Sequence, residues 1–497
     1  MQIKNNKNKA HLILIYFVSL FFTFTLNAQI EYPLVAQKVK EKFASQPHYH
    51  SKKLFIKNKT VGNQFKNYVK ESTVIDIAQK ELQVILNRKS ELLRLTIPSE
   101  NGAIDLQLFQ TDILSDTYRL RDESGNIYHS SGTALFYRGT VKGVALSTAI
   151  VTVMKREIRI LYSDSSGNHR ISKVGDKYVM YDDQDITIRK EFDCQTKENP
   201  NPISYNIKNQ KGVTQRSSIT GGCVEIYFEC DYESYQDNGS NIVNTEAWVT
   251  ALFNEVTTLY ANENIPIVIA EIKVWTTPDP YIAFTSTSDV LDEFVVQTNN
   301  NEYDGRLAHL LSTRSLGGGI AYLNVLCNNT IANAVSGSLS TNIVPFPTYS
   351  WTVEVVAHEM GHNFGSPHTH ACSWNGDNTQ IDDCGNQYLG NGGPCYDANN
   401  PILPATGSIM SYCHLVSGVG IDFNNGFGMQ PGDLIYNNYI NSTCHTGCST
   451  DPAPANDECA NAIPINNIGG LGTCPTNKVT GMTLGANEST PISCDGG

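Results

Sequence analysis

The segment from His358 to His368, which reads HEMGHNFGSPH, constrains the local fold more than any other part of the chain. Histidines four residues apart lie on one face of a helix, so His358 and His362 can bind a single ion together. Gly365 can adopt the left-handed conformation that ends a helix and turns the chain. That turn lets His368 return as a third nitrogen ligand. Three protein ligands leave an open coordination position, which is typical of a catalytic rather than a structural zinc site.

Glu359 lies next to the first predicted ligand and is the carboxylate best placed to reach a water on the ion. In such a site zinc polarises a carbonyl group and acidifies the water, while the carboxylate takes the proton and passes it to a leaving amine. The apolar pattern predicts that a helix over residues 349–364 carries these side chains. His370 is a rival third ligand by residue type, but its spacing does not fit the motif. His309 and His414 lack partners at ligand spacing and are expected to be structural or surface residues.

This extended motif resembles the signature of the metzincins, HExxHxxGxxH, which is followed in that family by a methionine-containing turn. Residues 407–413, which read GSIMSYC, resemble that turn. By this resemblance Met410 would lie beneath the zinc ion as a hydrophobic base. The likeness is strongest to the reprolysin or adamalysin branch, covers roughly residues 223–448, and suggests a bacterial secreted type with a propeptide.

The resemblance implies an α/β (α+β) catalytic domain with a mixed five-stranded sheet and a zinc-binding active-site helix. It also implies a secreted zinc-dependent endopeptidase, made as a zymogen, that hydrolyses protein or peptide substrates with Glu359 as general base. A different reading is an adhesin or binding protein built on an inactive metzincin scaffold. The presence of Glu359 and of all three histidines favours the enzyme.

Two residues depart from the reprolysin pattern. Thr369 follows the third histidine, where reprolysins usually have Asp. Tyr412, two residues after Met410, instead resembles the astacin and serralysin pattern, in which that tyrosine can approach the zinc. Two interpretations of Tyr412 stay open. It is either a displaceable fifth ligand or hydrogen-bond donor to the tetrahedral intermediate, or a packed side chain whose hydroxyl bonds a backbone group.

The rest of the chain predicts a series of domains. Residues 1–28 combine lysines, an apolar run and a small residue at the end, which is the layout of a secretory signal peptide, with an uncleaved anchor as the alternative. Residues 29–218 show strand-like alternation and end in a polar linker, which predicts a β-rich propeptide. The catalytic domain is predicted over 219–448, a second linker over 449–456, and a truncated β-type accessory module over 457–497, whose suggested role is substrate binding or cell-surface attachment. Within the catalytic domain we expect strands over 224–232, 266–275 and 320–326 and helices over 242–260 and 290–297.

Charge and hydropathy exclude several classes of protein. The formal net charge is −13 and the chain has no basic block in its body, which argues against a nucleic-acid partner. One apolar run, at the N-terminus, approaches the length of a membrane span, so a polytopic membrane protein is excluded. We therefore expect an extracellular protein without stable membrane insertion after signal cleavage.

The 13 cysteines fit an oxidising compartment, and their odd number leaves at least one thiol without a partner in the chain. The cysteines that follow the predicted active-site helix, together with Cys327, are expected to staple the loops under the cleft. Cys194 precedes the polar linker, and reprolysin-like zymogens place a propeptide cysteine on the open zinc position. The alternative is a structural bridge from Cys194 to Cys223 or Cys230. A calcium ion in the loop over 374–394 is a further, weaker expectation.

Overall fold

Alternating apolar and polar residues in the N-terminal part of the chain form strands, as the sequence predicts. The computed structural model describes residues 33–57, 65–99, 102–129, 134–175, 177–187, 194–196, 222–341, 350–389 and 394–445. All of them belong to one compact unit that starts at Pro33. The predicted signal peptide, second linker and accessory module lie outside the described residues. Among the helices described, none has both the length and the apolar composition that a membrane crossing needs.

Strands of the N-terminal part form a ten-stranded sheet in the order β1-β4-β5-β8-β9-β10-β11-β12-β3-β2. The strands up to residue 182 are β1 (Tyr49–Ser51), β2 (Phe55–Lys57), β3 (Thr73–Ile77), β4 (Leu92–Ser99), β5 (Gly102–Gln110), β6 (Leu114–Asp122), β7 (Ile127–Tyr128), β8 (Leu135–Val141), β9 (Thr148–Met154), β10 (Glu157–Asp164), β11 (Gly167–Val174) and β12 (Lys177–Asp182). Two helices accompany them, α1 (Leu34–Ser45) and α2 (Gln79–Arg88). This part of the chain is therefore β-rich.

The C-terminal part alternates strands and helices and forms a second sheet. Its strands are β13 (Val224–Cys230), β14 (Ile267–Val274), β15 (Leu307–Leu311), β16 (Gly319–Ala321) and β17 (Asn333–Ser336). The sheet order is β16-β17-β15-β13-β14-β6-β7, so two strands from the N-terminal part extend it to seven. Strands β13, β14, β15 and β17 pair in parallel, whereas β16 is antiparallel to β17. The predicted mixed α/β class is confirmed, and the shared sheet is a feature that the sequence did not predict.

Six helices complete the C-terminal part as described. They are α3 (Tyr232–Asp237), α4 (Ile242–Asn262), α5 (Thr287–Asn300), α6 (Trp351–Asn363), α7 (Cys384–Leu389) and α8 (Met429–Asn441). The side chain of Asn241 accepts hydrogen bonds from the first backbone N–H groups of α4 and so caps it. Ser286 caps α5 in the same way. The helices predicted over 242–260, 290–297 and 349–364 correspond to α4, α5 and α6.

The strand predicted over residues 320–326 is wrong beyond Ala321. Asn324 has a positive φ of 59°, and the chain turns there. Its N–H group donates to the carbonyl of His362 at 2.8 Å, and the next N–H group, of Val325, donates to Asn363 at 3.0 Å. The apolar run therefore leaves the sheet because its backbone N–H groups bind the free carbonyls at the end of α6.

Candidate active site

Helix α6 carries His358, Glu359 and His362 through the interior, since every residue from Trp351 to Asn363 is buried. The helix packs against α4, where the hydroxyl of Tyr260 donates to the carbonyl of Ala357 at 3.0 Å. One side of α6 is thus fixed to the core. The other side presents the two histidines and the glutamate.

The end of α6 brings back the third histidine, as expected from Gly365. That glycine has a φ of 107°, its N–H group donates to His362, and the N–H group of Ser366 donates to Gly361 at 3.0 Å. This is the hydrogen-bond pattern by which a left-handed glycine ends a helix. The chain then reverses and places His368 beside the helix.

The three histidines converge on one point. The Nε2 atom of His362 lies 3.1 Å from the Nε2 atoms of both His358 and His368. The Nδ1–H groups of His358 and His362 donate to the carbonyls of Ile409 and Ser366, each at 2.7 Å. These hydrogen bonds leave lone pairs on Nε2, and burial lowers the pKa of all three imidazoles, which favours the neutral form. Buried nitrogen lone pairs facing one another fit a zinc cation between them.

His370 lies beside this group rather than in it. Its ring stacks on His368, with the centroids 4.9 Å apart and the planes at 13°. Among the described residues, the group of potential ligands at this point comprises Cys194, His358, His362 and His368. The geometry therefore places His368, not His370, with the two helical histidines.

The methionine turn lies directly under α6. Met410 is fully buried, and a Cβ atom on Gly361 would stand only 2.6 Å from its Sδ atom. The N–H group of Thr369 donates to the carbonyl of Met410 at 3.1 Å, and its hydroxyl bonds the buried carboxylate of Asp382. Where reprolysins usually have an aspartate, this chain thus has a threonine that bonds both the methionine turn and Asp382.

Glu359 is buried against the edge strand β16. A Cβ atom on Gly319 would stand 2.2 Å from its Oε1 atom, so only glycine leaves room for the carboxylate. Within the part of the chain that the structure describes, Oε1 has no hydrogen-bond partner, whereas Oε2 accepts from the hydroxyl of Thr196 at 3.3 Å. Burial raises the pKa of Glu359 to about 8.

Replacing Gly319 with alanine should push the Glu359 carboxylate out of place. Since small misplacements of a reacting group carry large losses of rate, we expect kcat to fall about 10- to 100-fold with the zinc content unchanged. Gly337→Ala is the control, because a Cβ atom there would stand 3.0 Å from the side chain of Leu316, which lies outside the site. Steady-state kinetics and metal analysis of both variants check this. Equal kcat values for the Gly319 variant and the wild type would show that β16 does not position the carboxylate.

Cys194 lies at the same point as the histidines. Its Sγ atom is 3.5 Å from Nε2 of His362. Cys194 and Cys230 are both free and buried, while Cys223 is disulfide-bonded, so neither of the alternative bridges from Cys194 is formed. Among the residues that the structure describes, three disulfides join the loops beyond, as expected: Cys327–Cys444, Cys372–Cys395 and Cys384–Cys413.

The residues around Cys194 are also bound to the site. The N–H group of Gln195 donates to Gly319 at 3.0 Å, and Thr196 Oγ1 accepts from the N–H group of Ala321 at 2.9 Å. The hydroxyl of Tyr412 donates to the backbone carbonyl of Cys194 at 2.5 Å. Tyr412 therefore makes the kind of backbone contact that its second interpretation describes, to the segment that fills the site. No sequence pattern marks Thr196, apart from its position two residues after the cysteine.

Other polar residues singled out in the sequence have separate roles. His309 is buried, bonds Ser336 Oγ at 2.8 Å, and its pKa is lowered to about 3 by burial. His414 is buried with its Nδ1 atom 2.8 Å from Glu354.

In the loop proposed for calcium, Thr379 donates to Asp377 at 2.7 Å. The one further group of potential ligands in the described chain contains Cys384 and Cys413, which are disulfide-bonded to each other. This geometry offers no support for calcium.

Comparisons with known proteins agree with this geometry. Residues 222–410 match the family model described as Metallo-peptidase family M12, reprolysin type. The chain is 30% identical over 162 residues to disintegrin and metalloproteinase domain-containing protein 19 of Mus musculus, covering 30% of this chain and 16% of that protein. It is 27% identical over 152 residues to disintegrin and metalloproteinase domain-containing protein 9 of Homo sapiens, covering 29% of this chain and 18% of that protein. The chain thus spans less than a fifth of the length of these curated relatives.

A helix with two histidines, a returning third histidine and a methionine turn beneath them is the combination that characterises the metzincins. Over residues 222–410 the chain is similar to the reprolysin-like metallopeptidases of family M12, and this similarity indicates a zinc metalloendopeptidase.

Proposed function

We propose that this chain is a secreted zinc-dependent endopeptidase that is made as a zymogen and hydrolyses peptide bonds of protein substrates. The observation that carries the proposal is the convergence of three buried imidazole nitrogens beside a buried glutamate. In this proposal residues 1–28 are a signal peptide, 29–218 a propeptide and 219–448 the catalytic domain. The segment from 449 onward is a linker and an accessory module that attaches the enzyme to substrate or to a cell surface.

Each residue of the site has a chemical task in this proposal. A zinc ion held by His358, His362 and His368 would supply a Lewis acid for the scissile carbonyl and for a water molecule. Glu359 accepts the proton of that water and delivers it to the leaving amine. Met410 supports the histidines from below. Tyr412, once released from the carbonyl of Cys194, is free to donate a hydrogen bond to the tetrahedral intermediate.

The segment 194–196 accounts for latency in the same proposal. Cys194 holds the position that a water and substrate need, and the hydroxyl of Thr196 bonds the general base. A thiolate is a good zinc ligand, so the thiol would displace the catalytic water in the zymogen. Cutting the chain after this segment and withdrawing it frees the site.

Replacing Cys194 with serine should raise the peptidase activity of the uncut chain by at least about tenfold, which corresponds to a loss of ~1.4 kcal/mol from the closed state. Thr196→Val, which removes the hydroxyl and keeps the shape, should raise it less, and the double variant should raise it most. Cys230→Ala is the matched control, because Cys230 is another free, buried cysteine but lies outside the ligand group. If Cys194→Ser remains as latent as the wild type, the thiol does not hold the zymogen closed.

Cleavage of a mixed peptide library by the chain, cut between its two parts and freed of its propeptide, tests the endopeptidase itself. Mass spectrometry should find products cut at internal bonds, and a chelator should abolish them. Products that arise only by removal of terminal residues would contradict an endopeptidase. Absence of any product, with zinc bound, would favour a binding protein on this scaffold.

A further inference from the structure

The propeptide region and the catalytic region share one sheet. Strand β6 pairs in parallel with β14, from Leu114 opposite Ile269 to Asp122 opposite Val274, and β7 pairs with β6 on its outer side. The edge of the catalytic sheet is therefore closed by a hairpin from the N-terminal part. Unpaired sheet edges bind added strands readily, because their backbone N–H and C=O groups lack partners.

Two arginines on β6 neutralise a carboxylate of β14. Glu271 is fully buried, and its Oε2 and Oε1 atoms accept from Arg119 Nη2 at 2.8 Å and Arg121 Nε at 2.5 Å. The N–H group of Asp304 also donates to Oε2, at 3.1 Å. Withdrawing β6 would leave Glu271 without either arginine, and removing one side of a buried ion pair is strongly unfavourable.

The two regions also share one hydrophobic core and a second set of polar anchors. Leu120, Phe136 and Ile150 of the N-terminal part belong to the same buried cluster as Val256 and Ile267. Further contacts lie along the boundary: Arg170 to Glu255 at 3.0 Å, Tyr118 to Glu246 at 2.9 Å, Asn254 to Thr152 at 3.0 Å and Asn168 to the carbonyl of Ile421 at 2.9 Å. None of these contacts involves residues 197–221, the connecting segment that joins the two regions along the chain.

From these contacts we infer that cutting the connecting segment does not release the propeptide, which stays on the β14 edge as a non-covalent subunit. This inference rests on the proposed zymogen, since it concerns the step after its cleavage. The arginine pair of β6 is the anchor on the sheet edge. Activation then needs a second event that breaks up the propeptide or withdraws β6 from β14.

The test uses the full chain with a recognition sequence for a site-specific protease placed between Lys208 and Ser218. Cys194→Ser and Glu359→Gln are added, so that neither a thiol–metal bond nor self-digestion contributes. After complete cutting, the two pieces should co-elute in size-exclusion chromatography at micromolar concentration. Adding Arg119→Ala and Arg121→Ala should raise the dissociation constant of the pieces roughly 100-fold or more.

Arg94→Ala is the control, because Arg94 forms its ion pair with Asp105 on the neighbouring strand of the ten-stranded sheet. Both partners of this ion pair belong to the N-terminal part. It should leave co-elution unchanged. Glu271→Gln weakens the same anchor from the other side and serves if the double arginine variant does not fold. Separation of the parent pieces on cutting, or equal affinity with and without the arginines, would overturn the inference. This experiment does not measure peptidase activity. The inference can therefore be wrong while the proposed function stands, and the proposed function can be wrong while the inference stands.

Discussion

Replacing Glu359 with glutamine should lower kcat by about 10²- to 10⁴-fold and leave zinc bound. The three imidazoles are untouched, and the amide fits the pocket that Gly319 leaves open. What is lost is the group that accepts and returns the proton in the proposed mechanism. Turnover of a standard peptide and zinc content, both measured on chain freed of its propeptide, check this expectation.

Glu354→Gln is the matched control for that variant. Glu354 lies on the same helix and is equally buried, but its carboxylate faces His414 and not the histidine cluster. Its loss should lower the thermal stability and spare kcat of the folded protein. Turnover near that of the wild type in Glu359→Gln would refute the role of Glu359 as general base. Loss of zinc from it would make Glu359 part of the metal site instead.

Replacing His362 with alanine should abolish zinc binding and destabilise the folded chain. His362 is the central histidine of the cluster, because its Nε2 atom lies 3.1 Å from the Nε2 atoms of both His358 and His368. A ligand present at 1,000 times its dissociation constant stabilises the folded state by about 4 kcal/mol, so losing it removes an effect of that order. Thermal unfolding with and without zinc, together with equilibrium dialysis, measures both consequences.

His370→Ala separates the two candidates for the third ligand. His370 stacks on His368 but lies outside the ligand group, so this variant should keep its zinc. His368→Ala should lose it as His362→Ala does. The reverse pattern would show that the motif spacing misassigns the third ligand.

Local patterns carried much of the prediction. Helix α6 and its glycine turn could be predicted because histidine spacing, apolar periodicity and a left-handed glycine all act within a few residues. The mixed α/β class followed from the same kind of pattern, combined with the family resemblance. The strand predicted over residues 320–326 was wrong beyond Ala321, because an apolar run does not show where its backbone hydrogen bonds go. Here they go to the carbonyls of His362 and Asn363.

Contacts between distant parts of the chain could not be predicted in this way. Arg119 and Arg121 look like ordinary exposed charges on a strand, and their partner Glu271 is about 150 residues further along. The contact of Thr196 with Glu359 could not be predicted either, since only the folded chain brings the two residues together. The shared sheet and the contact between Thr196 and Glu359 are therefore properties of the assembled fold rather than of any short segment.

Zinc titration of metal-free enzyme tests the proposed metallopeptidase most directly. The chain is freed of its propeptide and stripped with a chelator, and zinc is returned stepwise while peptide hydrolysis is followed. Activity should be absent at the start and should reach its plateau at about one zinc ion per chain, as expected for one site with three protein ligands. Hydrolysis that persists in the metal-free chain, or that does not return with zinc, would contradict the proposed zinc-dependent peptidase.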